Sequence, residues 1–384
     1  MGESGNTIAQ KLHWHNDEIF KKHDIGILAR RAKSRGDTDA AHFPRPMRET
    51  SLSATPILSI FVVFVLNFVY GAQGSNGGEG RVIFSQTGEI CEDFFVVGHP
   101  FIPVYLLDGP QPVIFDAGFA LLGNLYTAEI ENILGNRAPA FCFLTHAHFD
   151  HCGAVAAFKR RYPRMKVVAS HKAGEILKRP SAVERIRYLN LAAGVVVKQI
   201  GVTGIQGAHF EPFDIDRYVE EGDCVEIAAG CCVEVIASPG HTWDCLSYRI
   251  ADKNILLSSE AAGQPDQTGT IVTDCLADYD CYLASLRQLK ALMPEVLCPG
   301  HLFVFSAEDA VAYLERAQAA CIDFFNFVSA CAREKNGDVE RIKQRIRSHE
   351  YDANPGPKQP EPAYLINLEA RIRAVLKANA ARAE

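Results

Sequence analysis

From Arg81 onward, apolar and polar positions alternate over short stretches broken by Gly and Pro. Residues 81–85, 94–98, 103–107 and 112–116 each read as a β-strand, and their close spacing predicts an antiparallel meander. The period then lengthens to that of helices at 127–134, 154–161 and 172–193. Between the first two lies Phe141-Cys142-Phe143-Leu144, an apolar run of the length of a buried strand. Strands return at 224–228, 232–237, 247–250 and 254–257, followed by an amphipathic helix over 279–292 and a last strand over 296–298. Strands then helices, twice over, predict an α/β fold of four layers, αββα, in which two sheets share one core.

Past residue 305 the pattern is helical to the end. Ser306 reads as an N-cap with Glu308 and Asp309 behind it, suited to the helix dipole. A second helix is predicted over 339–348, a break at Asn354-Pro355-Gly356-Pro357 and a third helix over 365–378. The first of these carries the aromatic stripe Phe324, Phe325 and Phe327, which is too apolar to face water along its length. It is expected over the mouth of the site, shaping an apolar acyl pocket, with packing on the sandwich as a brace or a homodimer face as the alternatives. Residues 191–219 read either as a cap over the site or as a surface excursion with its own small core.

The other end differs in kind. Residues 1–55 form a polar tail with scattered basic residues, and His13 and His15 gather no further ligand types around them. Residues 56–72 begin with a charge-free apolar run, and a Gly- and Ser-rich linker follows. The run fits a signal-peptide core, with Met47 as an alternative start, or a short membrane anchor, brief against the roughly 20 residues a span needs. A buried strand is the third reading. The basic flank then predicts an exported or membrane-anchored protein with the domain outside, and a cytoplasmic one as the alternative.

Composition narrows the classes. With 384 residues, 48% apolar and 22% charged, the chain is globular, and a net charge of −7 without a basic patch or zinc-finger spacing excludes nucleic acid as a partner. The 12 cysteines follow no disulfide framework and read as small buried hydrophobes, which counts against export.

The chemistry concentrates in His146-Ala147-His148-Phe149-Asp150-His151. Three imidazoles and a carboxylate fall between a predicted strand and a predicted helix, where a packed scaffold presents a loop. Nitrogen with carboxylate oxygen suits zinc, iron or manganese better than calcium or magnesium. Asp150, just before the helix, is also placed to be its N-cap. A solvated polar loop would explain one histidine here but not four ligand residues at this spacing.

The run resembles the His-x-His-x-Asp-His motif of the metallo-β-lactamase superfamily, and the resemblance covers residues 80–305. Ser238-Pro239-Gly240-His241 is similar to its third-histidine loop, Leu256-Leu257-Ser258-Ser259-Glu260 to its bridging-carboxylate strand end, and Cys298-Pro299-Gly300-His301 to its last-histidine loop. Val113 to Gly118 resembles its strand-Asp-x-Gly turn. His151-Cys152-Gly153 and the helical extension resemble the quinolone-response thioesterase-like members. The resemblance implies a four-layer αββα metallo-β-lactamase sandwich with a C-terminal helical extension from 306 to 384. It also implies two divalent metal ions, zinc first, with iron or manganese as alternatives. His146, His148 and His241 would hold one, Asp150, His151 and His301 the other, with Glu260 bridging and Asp116 behind a ligand imidazole. Ser259-Glu260 replaces the usual Gly-Asp and adds one methylene to the bridge. Asp252 reads as turn chemistry instead.

The function implied is hydrolysis of a small-molecule ester, thioester or lactone by a metal-bound hydroxide, with Asp150 orienting it and passing its proton on. An iron-dependent sulfur dioxygenase-like oxidoreductase, and a signalling effector that retains a metal site, are the alternatives.

Overall fold

The computed structural model describes residues 83–202, 209–266, 269–334, 337–353 and 361–383. The predicted tail at 1–55, the apolar segment at 56–72 and the linker after it lie outside these. Among the described residues no helix is long and apolar enough to cross a membrane.

The first described strand is β1 (Ile83–Phe84). It was expected to open the meander, but it pairs antiparallel with the last strand of the other sheet. A short edge strand has no local signal for its partner. The meander itself is β2 (Gly88–Cys91), β3 (Phe94–His99), β4 (Ile102–Leu107) and β5 (Val113–Phe115), and it continues into three parallel strands, β6 (Phe141–Phe143), β7 (Lys166–Ser170) and β8 (Arg217–Val219). The second sheet is built from β9 (Cys224–Ala228), β10 (Cys231–Ala237), β11 (Leu246–Ile250), β12 (Ile255–Leu257), β15 (Val296–Cys298) and β16 (Val304–Ser306), with β1 at its edge. A separate small hairpin, β13 (Gln264–Pro265) and β14 (Ile271–Val272), lies between β12 and β15 in the chain.

The two seven-stranded sheets face each other across one apolar layer. Phe115 and Phe143 stack at 5.3 Å within it, and Tyr248 of the second sheet meets Phe143 edge-on at 5.2 Å. Each such aromatic contact adds about 1 kcal/mol beyond the area it buries. The first sheet's outer face is covered by α1 (Gly123–Leu134), α3 (Val155–Arg161), α4 (His171–Leu177) and α5 (Pro180–Ala192), while α2 (Phe149–Cys152) is a single turn between β6 and α3. The predicted helix over 172–193 is two helices. Pro180 starts α5, and Arg179 before it is extended, as a residue preceding proline tends to be. After α6 (Gly194–Gln199), Phe210 is buried against this same layer and Phe213 packs on it. The described part of the 191–219 interval is therefore an excursion on the outer layer, and these contacts give no cap.

The second sheet's outer face carries α7 (Tyr279–Ala291), α8 (Glu308–Glu334), α9 (Val339–Arg347) and α10 (Glu361–Ala383). In α8 the buried residues Ala310, Leu314, Ala317, Cys321, Val328 and Cys331 repeat at helical spacing. The helical extension thus completes the fourth layer. Its aromatic stripe departs from expectation. Phe325 packs on Tyr279, Phe324 lies under Arg371 and Phe327 meets His349, all contacts among helices and not at the mouth of the site. The stripe borders the face that the sheet takes, so neighbouring helices cover it.

Cys224 and Cys232 form a disulfide across β9 and β10, a pairing the sequence did not suggest. Seven of the other cysteines are buried, as expected of small hydrophobes.

Candidate metal centre

Five segments end at one edge of the sandwich and carry the predicted residues. β6 runs out through Leu144 and Thr145 into His146, and α2 presents Asp150 and His151. His241 lies between β10 and β11, Glu260 in a 3₁₀ turn after β12, and His301 between β15 and β16. β5, β6, β12 and β15 belong to parallel pairs, and the site gathers at their carboxyl ends, where open α/β sheets place ligands. The N-cap of α2 is His148, extended and without a side-chain cap bond. Asp150 therefore sits in the first turn and is not the predicted cap, because the helix begins earlier than its apolar pattern.

All seven predicted residues converge. The ligand atoms of His146, His148 and His241 lie within 4.8 Å of one another, and so do those of Asp150, His151 and His301; His146, His151 and Glu260 form a third such group joining the two. Glu260 Oε1 stands 2.9 Å from His151 Nε2 and 2.8 Å from His301 Nε2, while Oε2 is 3.8 Å from His146 Nε2. Asp150 Oδ2 lies 3.6 Å from His301 Nε2 and 3.9 Å from His151 Nε2. Glu260 therefore leans toward the Asp150 group.

Four of the five imidazoles are fixed from behind. His151 Nδ1 donates to Asp116 Oδ2 at 2.8 Å, His301 Nδ1 to the Phe101 carbonyl at 2.7 Å and His241 Nδ1 to the Asp274 carbonyl at 2.9 Å. Thr145 gives its amide and its hydroxyl proton to Asp116, so His146 Nδ1 donates to the Thr145 oxygen at 3.1 Å. These bonds set the tautomer and turn the Nε2 lone pairs inward. His148 differs, with Nδ1 lying 3.1 Å from His241 Nε2. Asp116 achieves its reach with a left-handed backbone, φ 58°, and Ser259 before Glu260 has φ 48°. Such conformations in non-glycine residues cluster at functional sites.

The charges divide the group. Burial first, then the imidazoles of His151 and His148, holds His146 well below the usual histidine range. Burial, then His241, lowers His148 to about 3. Burial opposes a charge on His151 too, but Glu260, Asp116 and Asp150 outweigh it and raise its pKa well above the ordinary value. The Glu260 carboxyl is likewise penalised by burial, and His151 and His301 bring it well below the ordinary carboxylate range. His146 and His148 are thus held toward the neutral form, while His151 and His301 pair with Glu260.

Whether a metal fits is tested by what the chain leaves unpaired. His146 Nε2 is fully buried, faces the cluster and has no hydrogen-bond partner among the described residues. A buried acceptor left bare costs about 1–3 kcal/mol, which a bound cation removes. Nitrogen and carboxylate donors in two groups of three with a shared carboxylate suit borderline divalent ions. Sequence reasoning missed Thr145, the neighbour of the motif, and Asp274, which belongs to no recognisable spacing.

A sequence profile described as the metallo-beta-lactamase superfamily matches residues 98–301, and the chain belongs to that superfamily. It is 24% identical over 216 residues to the Bos taurus "Acyl-coenzyme A thioesterase MBLAC2", covering 53% of this chain and 74% of that one. It is 30% identical over 117 residues to a hydroxyacylglutathione hydrolase of Rhodopseudomonas palustris (strain BisB5), covering 30% of this chain and 31% of the relative. Among solved structures, a metallo-beta-lactamase family protein of Thermus thermophilus superposes with a TM-score of 0.51 at 16% identity, over 78% of this chain and 94% of that one. That likeness concerns the fold.

Proposed function

We propose that the protein is a metal-dependent hydrolase of a small-molecule thioester, with esters and lactones as the related substrates. The observation that carries this reading is the pair of three-donor groups joined by Glu260, with His146 Nε2 buried and unpaired. His146, His148 and His241 would hold one divalent ion and Asp150, His151 and His301 the other, with Glu260 joining the two groups. Zinc fits the donor set first, then iron or manganese. Bound metals would supply an activated water and polarise the substrate carbonyl. The remaining work belongs to the chain. Asp116, Phe101 and Asp274 keep the imidazoles oriented. Asp150, whose carboxylate is the more exposed of the two facing the cluster, orients the water and carries its proton to the leaving thiolate. The names of two relatives, a thioesterase for acyl-coenzyme A and a hydrolase for hydroxyacylglutathione, favour a thioester over the other carbonyl substrates.

Elemental analysis of anaerobically purified protein, joined to an ester, thioester and lactone panel, tests the proposal. Two divalent ions per chain and thioester turnover are expected. Bound iron with oxygen uptake and no hydrolysis would replace it with the dioxygenase alternative.

A further inference from the structure

The helical hydrogen-bond ladder runs from α5 into α6 without a break: Ala193 N donates to the Leu189 carbonyl and Val197 N to the Ala193 carbonyl, both at 2.9 Å. One face of this rod is buried through Ile186, Asn190, Ala193 and Val197, at helical spacing. A surface helix normally offers polar residues on the opposite face. Here that face carries Tyr188, Leu191 and Val195, which are 66%, 59% and 63% exposed. They stand three and four residues apart and so are neighbours along the helix. Of the seven exposed large apolar side chains among the described residues, three fall on this one stripe. Single exposed hydrophobes need no explanation, but a contiguous row of them does.

Charge and position say what covers the row. Arg187 and Lys198, both exposed, flank it on the same helices. Residues 171–199 hold six Lys or Arg against two Glu, a net charge of +4 in a chain whose total is −7. A second copy docked here would set two such basic faces against each other. An anionic bilayer surface matches both the charge and the apolar row, since helices with Tyr or Leu beside Lys or Arg lie at the headgroup boundary. The stripe is also close to the metal centre. Asn190, on the buried face of α5, accepts from Ala120 N at 2.8 Å and donates to the carbonyl of Phe149, inside the His146–His151 run, at 3.4 Å. Phe149 in turn stacks on Phe119 at 5.4 Å. A helix with its side chains is about 10 Å across, so the stripe opens about one helix width from the loop that carries the ligands.

We propose that the outward face of α5 and α6 is a membrane-contact surface for an anionic bilayer. Tyr188, Leu191 and Val195 enter the boundary between headgroups and acyl chains, and Arg187 and Lys198 meet the lipid phosphates. The contact holds the edge of the sandwich that bears the metal centre at the bilayer surface. It requires no particular reaction there, so it stands or falls apart from the hydrolase reading.

The test reads contact at the stripe itself, on the full chain, so that attachment through residues 56–70 cannot stand in for it. Leu191→Trp and Val195→Trp each place a fluorophore in the row, and Ile366→Trp places one at an exposed position of α10, 47% exposed in the parent chain. The probe is vesicles of phosphatidylcholine and phosphatidylglycerol with brominated acyl chains. Emission from Leu191→Trp and Val195→Trp should move to the blue and be quenched beyond the wild-type background of Trp14 and Trp243. Ile366→Trp should add emission that is not quenched. Adding Arg187→Glu and Lys198→Glu to Leu191→Trp should weaken the lipid dependence of quenching about tenfold or more, since each basic residue near an anionic surface contributes about a factor of five. Vesicles of phosphatidylcholine alone should act as weakly as those charge reversals do. No added quenching at 191 or 195 overturns the proposal, even where the chain sediments with the vesicles. Equal quenching at 366, or no effect of the charge reversals, overturns it as well. A blue shift that grows with protein concentration before any lipid is added would make the face a contact between copies of the chain instead.

Discussion

Gly300 leaves the space that Glu260 fills: a Cβ built on Gly300 would stand 2.3 Å from Glu260 Oε1. The longer carboxylate of this chain is thus matched by a missing side chain on the facing loop, next to His301. Gly300→Ala should push Glu260 out of place and weaken metal binding. Adding Glu260→Asp, which withdraws the carboxylate by one methylene, should restore part of it. Metal content of the single and double variants checks this, and a harmless Gly300→Ala would show that the loop yields instead.

Glu260 leans toward His151 and His301, 2.9 and 2.8 Å away, and stands 3.8 Å from His146. Glu260→Gln should therefore weaken the metal held by Asp150, His151 and His301 more than the one held by His146, His148 and His241. His148→Ala should abolish hydrolysis and release at least one metal. Stepwise metal titration separates the two sites, and equal loss from both in Glu260→Gln would remove the asymmetry.

Asp116 binds His151 Nδ1 and both the amide and hydroxyl of Thr145. Asp116→Asn keeps the shape but cannot accept all three bonds with both oxygens. Metal affinity should fall 10–100-fold. An affinity within twofold of wild type would leave Asp116 as a turn residue.

Asp278 caps α7 by accepting from Cys281 N and also accepts from Lys377 Nζ of α10 at 3.0 Å. Burial raises its pKa, but the backbone bond from Cys281 and the Lys377 charge outweigh it and leave the pKa lowered. A lowered pKa gives stability that is present above the ordinary aspartate value and lost as pH falls through the folded one. Asp278→Ala should thus cost about 1 kcal/mol at neutral pH, as for a lost cap. The difference from wild type should shrink below about pH 4. Urea unfolding at pH 7 and pH 3 reads both; a pH-independent difference would mean that packing and not charge was lost.

Every proposed ligand lies beyond residue 145. Removing residues 1–72 should leave a soluble domain that takes up metal as the full chain does. Aggregated, metal-free protein would show that the apolar segment belongs to the core. The full chain itself is expected in the membrane or exported fraction, on the strength of its charge-free run at 56–70. Recovery in the soluble cytoplasm would remove that expectation and leave the domain untouched.

The sequence by itself determined most of the elements and singled out the candidate ligand residues. Period and turn residues sufficed for β9, at 224–228, and β15, at 296–298, because each is a buried run bounded by breakers. The six-residue run from His146 to His151 was legible because those donor types rarely gather without a shared cation. What the tertiary structure decided was everything that depends on distant partners. β1 pairs with β16 across the length of the domain, Cys224 pairs with Cys232, and Asp150 turned out to lie inside α2 instead of capping it. The residues behind the ligands were invisible for the same reason. Asp274 has no spacing relative to His241, since a buried polar group is placed by the packing around it and not by its neighbours in the chain.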